Sequence, residues 1–137
     1  MRIFLDTNIV IDFFDKNRVN HALATELIYN ISNENHQIVI SEDMISTVFY
    51  LCSDKQTTLQ KFKLLQKNWD IVIFGKKVIN AAIEMSISQK LDLEDTLQCI
   101  CAKQNQCDLL VSSDKKFIDC GIKITNYQQF NNTIKNA

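Results

Sequence analysis

A chain of 137 residues suits one domain, long enough to bury roughly two-thirds of its unfolded surface without disulfide staples. Apolar residues make up 46% and charged residues 23%, and no apolar run approaches the ~20 residues of a membrane span, which excludes an integral membrane protein. The formal net charge of -1 excludes a protein that grips nucleic acid through a global basic field, so any such contact must be local.

The chain enters a strand at residues 2–5 directly after Met1, with no secretory signal, which predicts a cytoplasmic protein. Ile9, Val10, Asp12, Phe13 and Phe14 read as a short helix. Asn20 to Ile31 carries Ala22, Leu23, Leu27, Ile28 and Ile31 at helical spacing. Gln37 to Ile40 reads as a second strand, and Ser41 as the N-cap of a helix with Glu42 and Asp43 in its first turn, where the helix dipole favours negative charge. A helix from Lys55 to Gln66, a strand from Asp70 to Phe74 and a helix from Lys77 to Ser88 follow. Asp92 is a suitable N-cap for a helix from Leu93 to Gln104. Asp108 to Val111 and Lys123-Ile124 read as strands, and Tyr127 to Ile134 as a terminal helix.

This alternation predicts an α/β fold: a three-layer sandwich with a central parallel sheet of about five strands and helices on both faces. With no proline, two glycines and no repeat, residues 1–137 form a single domain in this reading. The five cysteines are an odd number in a chain without an export signal, so they read as reduced thiols. Cys99, Cys101 and Cys107 lack zinc-site spacing and read as packing residues.

Three aspartates stand just beyond apolar runs or on a mostly apolar helix: Asp6, Asp95 and Asp114. Ligands of open parallel sheets bind outside the carboxyl ends of the strands, so acids from distant segments can meet there. Asp6 reads equally well as a helix cap, and Asp114, after Ser112-Ser113, as turn chemistry. Asp95 is different, because Gln98 and Cys99, its i+3 and i+4 neighbours, offer no positive charge. Converging carboxylates repel one another unless they share a cation, which points to a divalent metal. Asp92 shares a face with Asp95, leaving Glu94 to point to solvent.

Together, Phe4-Leu5-Asp6-Thr7-Asn8-Ile9-Val10-Ile11-Asp12, Asp92-Leu93-Glu94-Asp95-Thr96-Leu97-Gln98 with Ala102, and Val111-Ser112-Ser113-Asp114-Lys115-Lys116-Phe117 resemble the three motifs of the PIN-domain family of metal-dependent ribonucleases. That family includes the VapC-type toxins of prokaryotic toxin–antitoxin pairs. The resemblance implies a PIN-like domain that hydrolyses RNA phosphodiester bonds with Mg2+ or Mn2+. It implies Asp6, Asp95 and Asp114 as catalytic metal ligands, Asn8 and Ser112 as residues that orient them, and Asp92 in support. It also implies RNA, a small antitoxin protein and a second copy of the chain as partners. Lys115 and Lys116, beside Asp114, are the candidate RNA contacts.

One position departs from the family pattern. Many members carry a glutamate six residues beyond the serine that ends the second strand, and here Thr47 stands there. A pocket with one acid fewer should hold a hard cation more weakly. Asp43, one turn before Thr47, is a candidate replacement, with Glu42 a lesser one. The departure leaves a second expectation, a PIN module without catalysis that serves as a binding protein. A phosphatase-like pocket is disfavoured, because Asn8 stands where that chemistry needs a second aspartate.

Overall fold

A computed structural model describes residues 1–114 and 117–135. Five strands form one sheet in the order β3-β2-β1-β4-β5: β1 (Arg2–Leu5), β2 (Gln37–Ser41), β3 (Asp70–Val72), β4 (Leu109–Val111) and β5 (Lys123–Thr125). Every neighbouring pair is parallel. Continuous apolar runs of three residues in the central strands agree with this, since strands covered on both faces need no polar alternation. Ile3, Phe4 and Leu5 of β1, Ile38, Val39 and Ile40 of β2, and Leu109, Leu110 and Val111 of β4 are all buried. The edge strands β3 and β5 are only partly covered.

The helices are α1 (Thr7–Phe14), α2 (His21–Asn33), α3 (Asp43–Leu51), α4 (Lys55–Leu65), α5 (Gly75–Gln89), α6 (Leu93–Gln104) and α7 (Tyr127–Lys135). They pack in two groups: α5 against α6, and α1 with α2 and α3, extended by α4 and α7. Right-handed crossovers place such groups on opposite faces, because the chain winds one way from β1 to β3 and the other way from β3 to β4. The α/β sandwich and its strand count agree with expectation. The sheet reverses its winding between β1 and β4, and in open α/β sheets that is where ligands bind.

Two boundaries differ for physical reasons. Ser41 is not a cap: it stays in the ladder opposite Val72, and Glu42 precedes α3 without a side-chain capping bond. β3 stops at Val72, and α5 starts at Gly75, whose φ of 76 would strain a side-chain-bearing residue. Of the apolar residues of α1, α2 and α4, Phe14, Leu27 and Phe62 are buried, Phe13 is half-buried, and Leu23 is exposed. The expectation of reduced thiols throughout is also corrected: Cys99 on α6 and Cys120, between β4 and β5, form a disulfide, leaving Cys52, Cys101 and Cys107 free. Among the described residues no helix is long and apolar enough to cross a membrane.

Candidate functional site

The ladder carries Asp6 and Ser112 to the same level at the sheet's C-terminal edge, one residue past the Leu5–Val111 pairing. Asp6 continues the pairing through its backbone N–H, which donates to the Val111 carbonyl at 3.0 Å. Its own carbonyl starts α1 by accepting from Ile9 and Val10. The carboxylate makes no capping bond to the helix. It accepts instead from Ser112 Oγ, at 2.9 Å to Oδ2. The Asp6 side chain thus forms no cap of α1, although the Thr7 backbone also bonds it, and Asp6 is a buried acid at the switch point.

Burial is the main reason that the Asp6 carboxyl is pushed up to about 6. The hydrogen bonds from Ser112 and the Thr7 backbone oppose that shift, and the charges of Glu94 and Asp114 add to it. Asp95, half-buried in the first turn of α6, is likewise pushed up to about 6, first by desolvation and then by Asp92, Asp6, Asp114 and Glu94. Asp114 therefore acts electrostatically on Asp6 and Asp95 alike, and Asp6 acts on Asp95. Among the described residues no three His, Cys, Asp or Glu side chains converge closely enough to hold an ion as they stand.

Supporting residues divide into those that touch the site and those that do not. Ser112 Oγ both donates to Asp6 and accepts from the Asp114 backbone N–H at 3.1 Å, so it ties two of the three aspartates. Asp92 caps α6 as expected, its Oδ1 accepting from the Asp95 N–H at 3.0 Å. Asn8 is exposed and makes no side-chain hydrogen bond among the described residues. Thr47 gives its hydroxyl to the Asp43 carbonyl of its own helix at 3.3 Å. Glu42 and Asp43 line an apolar hollow with Ile45, Ile73, Phe74 and Ile79, and neither is among the main charges acting on Asp6 or Asp95. Replacement of the missing acid by Asp43 or Glu42 is thus unsupported. Lys115 and Lys116 lie outside the described residues.

Three residues at the site escape the sequence reading. Gln98 is fully buried on α6, and its Nε2 donates to Thr7 Oγ1 at 2.6 Å, joining α6 to the residue after Asp6. The same nitrogen lies 3.4 Å from Glu94 Oε1, and Glu94, although exposed, is the foremost charge acting on Asp6. Glu94 is thus exposed as expected, with its carboxylate also within reach of the Gln98 amide. The available signal was the amide of Gln98 on an otherwise apolar helix face, one turn beyond Glu94. A cavity of about 520 Å³ opens beside Asp114, bounded by Ser113, Thr125, Asn126 and Gln129.

Comparison with known proteins places this arrangement. The PIN domain family model matches residues 3–123. The chain is 35% identical over 133 residues to Ribonuclease VapC1 of Aquifex aeolicus (strain VF5), covering 94% of this chain and 92% of that protein. Among solved structures, the sarcin-ricin-loop-cleaving toxin VapC20 of Mycobacterium tuberculosis matches with a TM-score of 0.71 at 12% identity, over 88% of this chain and 95% of that one. VapBC2 of Rickettsia felis, bound to a DNA fragment from its promoter, matches with a TM-score of 0.66 at 20% identity, over 92% and 98%. At such identities the two structures speak for the fold alone. The family match spans all three acidic segments in order, and the chain belongs to the PIN-domain family.

Proposed function

We propose that this protein is an endoribonuclease that uses Mg2+ or Mn2+ to hydrolyse RNA phosphodiester bonds, and the toxin of a toxin–antitoxin pair. The observation that carries this reading is that the charges of Asp6 and Asp114 both act on Asp95, and that of Asp114 on the buried Asp6, at the sheet's switch point. The donor set is oxygen only, which suits hard divalent cations, and a bound cation would relieve the charge that these acids impose on one another. Asp6, Asp95 and Asp114 would hold it. When bound there, such an ion would supply positive charge beside a phosphate and would make a water more acidic.

The chain's own residues do the positioning. Ser112 fixes the Asp6 carboxylate and the Asp114 backbone together, and Asp92 fixes the first turn of α6 that presents Asp95. Gln98 locks α6 against Thr7. Lys115 and Lys116, next to Asp114 in sequence, would meet the RNA backbone. The 35% identical relative is named a ribonuclease, and the two structural neighbours are a toxin and a VapBC complex, which supports an antitoxin partner, a cytoplasmic site of action and, by the same kinship, a homodimer.

A second reading, a binding module without catalysis, is favoured by Thr47 standing where the family pattern has an acid. One experiment separates the two. Wild-type protein with Mn2+ should cleave single-stranded RNA, and Asp95→Asn should lower the rate by about a hundredfold or more. An active wild type with an unaffected Asp95→Asn would overturn the metal-nuclease reading. A wild type without activity, despite saturable Mn2+ binding, would favour the binding module.

A further inference from the structure

We propose that the cavity beside Asp114 is a nucleobase pocket, in which one unpaired base of the RNA stacks on Phe117 while Asp119 and Asn126 read its edge, with guanine preferred. This rests on the reading of the protein as a ribonuclease. The cavity holds about 520 Å³, and Ser112 and Asp114 form part of its wall, so a strand whose phosphate lies at the acids has a neighbouring base beside it. Small ligands fill pockets of about 300–1,000 Å³. A second hollow of about 460 Å³ shares Ser113 and Asn126 with the first, which gives the strand room to continue towards α2 and α7.

The lining suits a base and not a phosphate. Phe117 and Ile118 supply an apolar wall, and Phe117 is half-buried with its ring packed against the core. Aromatic rings stack unpaired bases of any sequence, because every base presents a π face. The charged side chains of the lining, among the described residues, are the carboxylates of Asp114 and Asp119, which disfavour an anion. Asp119 accepts from the Gly121 N–H through Oδ1 at 2.9 Å, leaving Oδ2 to accept from a ligand. Asn126 is set the other way. Its Oδ1 accepts from the Gln129 N–H at 2.8 Å, and Gln129 Oε1 accepts from the Asn126 N–H at 3.0 Å, so Asn126 Nδ2 remains as a donor. A carboxylate and an amide donor in one cavity match guanine, whose Watson–Crick edge sets two N–H donors next to a carbonyl. A third polar group lacks a partner: Thr125 lines the cavity, is 5% exposed, and its hydroxyl makes no hydrogen bond among the described residues. A buried hydroxyl left unmet costs stability, and a polar ligand in the cavity would supply what is missing.

Ligand-observed NMR of the full-length protein with guanosine, adenosine, cytidine and uridine, in EDTA, tests the pocket without metal, phosphate or cleavage. Cleavage of single-stranded RNA with Mn2+ is followed in parallel. Guanosine should bind about fivefold or more tighter than uridine. Phe117→Ala should weaken guanosine by about tenfold, and Phe117→Tyr, which keeps the ring, should bind it as the wild type does. Asp119→Asn, which replaces one acceptor oxygen by a donor, should bring guanosine down to the level of uridine. No nucleoside binding, equal binding of all four, or a guanosine affinity untouched by Phe117→Ala and Asp119→Asn would overturn the proposal, even where the wild type cleaves RNA. Selective guanosine binding by a wild type that does not cleave RNA would support the pocket and overturn the nuclease reading instead.

Discussion

Ser112 Oγ donates to Asp6 Oδ2 at 2.9 Å while accepting from the Asp114 N–H at 3.1 Å, so one hydroxyl joins the acid after β1 to the acid after β4. Groups that orient metal-ligating carboxylates typically contribute 10- to 100-fold in affinity or activity. Ser112→Ala should therefore lower Mn2+-dependent RNA cleavage by about that factor. Ser112→Thr, which keeps the hydroxyl, should recover most of it. Equal loss in both variants would assign Ser112 to packing alone.

The raised carboxyl of Asp6 makes a prediction about pH in the metal-free protein. Its value of about 6, against 3.8 for the free side chain, means that between pH 4 and 6 the folded state holds its proton more tightly than the unfolded state. Stability from this group is therefore present below pH 4 and lost as the pH rises through 6. The penalty at pH 7.5 is on the order of 3 kcal/mol. Asp6→Asn should be more stable than the wild type at pH 7.5 and level with it near pH 4, in urea unfolding with EDTA present. The same pH slope in both proteins would contradict the burial of a charge at this position.

What the sequence could and could not reveal follows from the range of each interaction. The strands were legible because burial on both faces demands continuous apolar runs, as in Ile3-Phe4-Leu5 and Ile38-Val39-Ile40. Asp92 as the cap of α6 was legible because capping depends on residues three apart. Ser41 misled, since a serine before an acidic turn looks like a cap, whereas its backbone belongs to the ladder with Val72. Thr7 and Gln98, 91 positions apart, meet only through the packing of α6, which no local pattern encodes. The exposure of Glu94 was legible from helical phase, whereas its contact with Gln98 was not.

A second buried acid, Asp12, does structural work. Its carboxylate accepts from Tyr127 Oη at 2.8 Å and Arg18 Nε at 2.9 Å, tying α7 to the end of α1. Burial, reinforced by the hydrogen bond to Asp12 and its charge, drives the Tyr127 hydroxyl well above the usual tyrosine range, so it stays a donor at any physiological pH. Tyr127→Phe removes one of the two partners of a buried charge and should cost about 1–3 kcal/mol in urea unfolding. Mn2+ binding should be unaffected. A loss of Mn2+ affinity at unchanged stability would place Asp12 in the metal pocket instead.

The Cys99–Cys120 bridge bears on the segment that carries Asp114, since it anchors the chain between β4 and β5 to α6 one turn beyond Asp95. Lys103 Nζ adds a second anchor by donating to the Cys120 carbonyl at 2.8 Å. A link across 21 positions stabilises a fold by about 3 kcal/mol, through the entropy it removes from the unfolded chain. Protein purified without reductant should therefore show three reactive thiols in denaturant, and dithiothreitol or Cys120→Ser should lower the melting temperature by several degrees. Because Lys103 still holds the segment, Asp114 should stay near Asp6, and cleavage by the reduced protein should fall less than it does for Ser112→Ala. Five reactive thiols, with no response of stability to reductant, would show that the two cysteines pack without bonding.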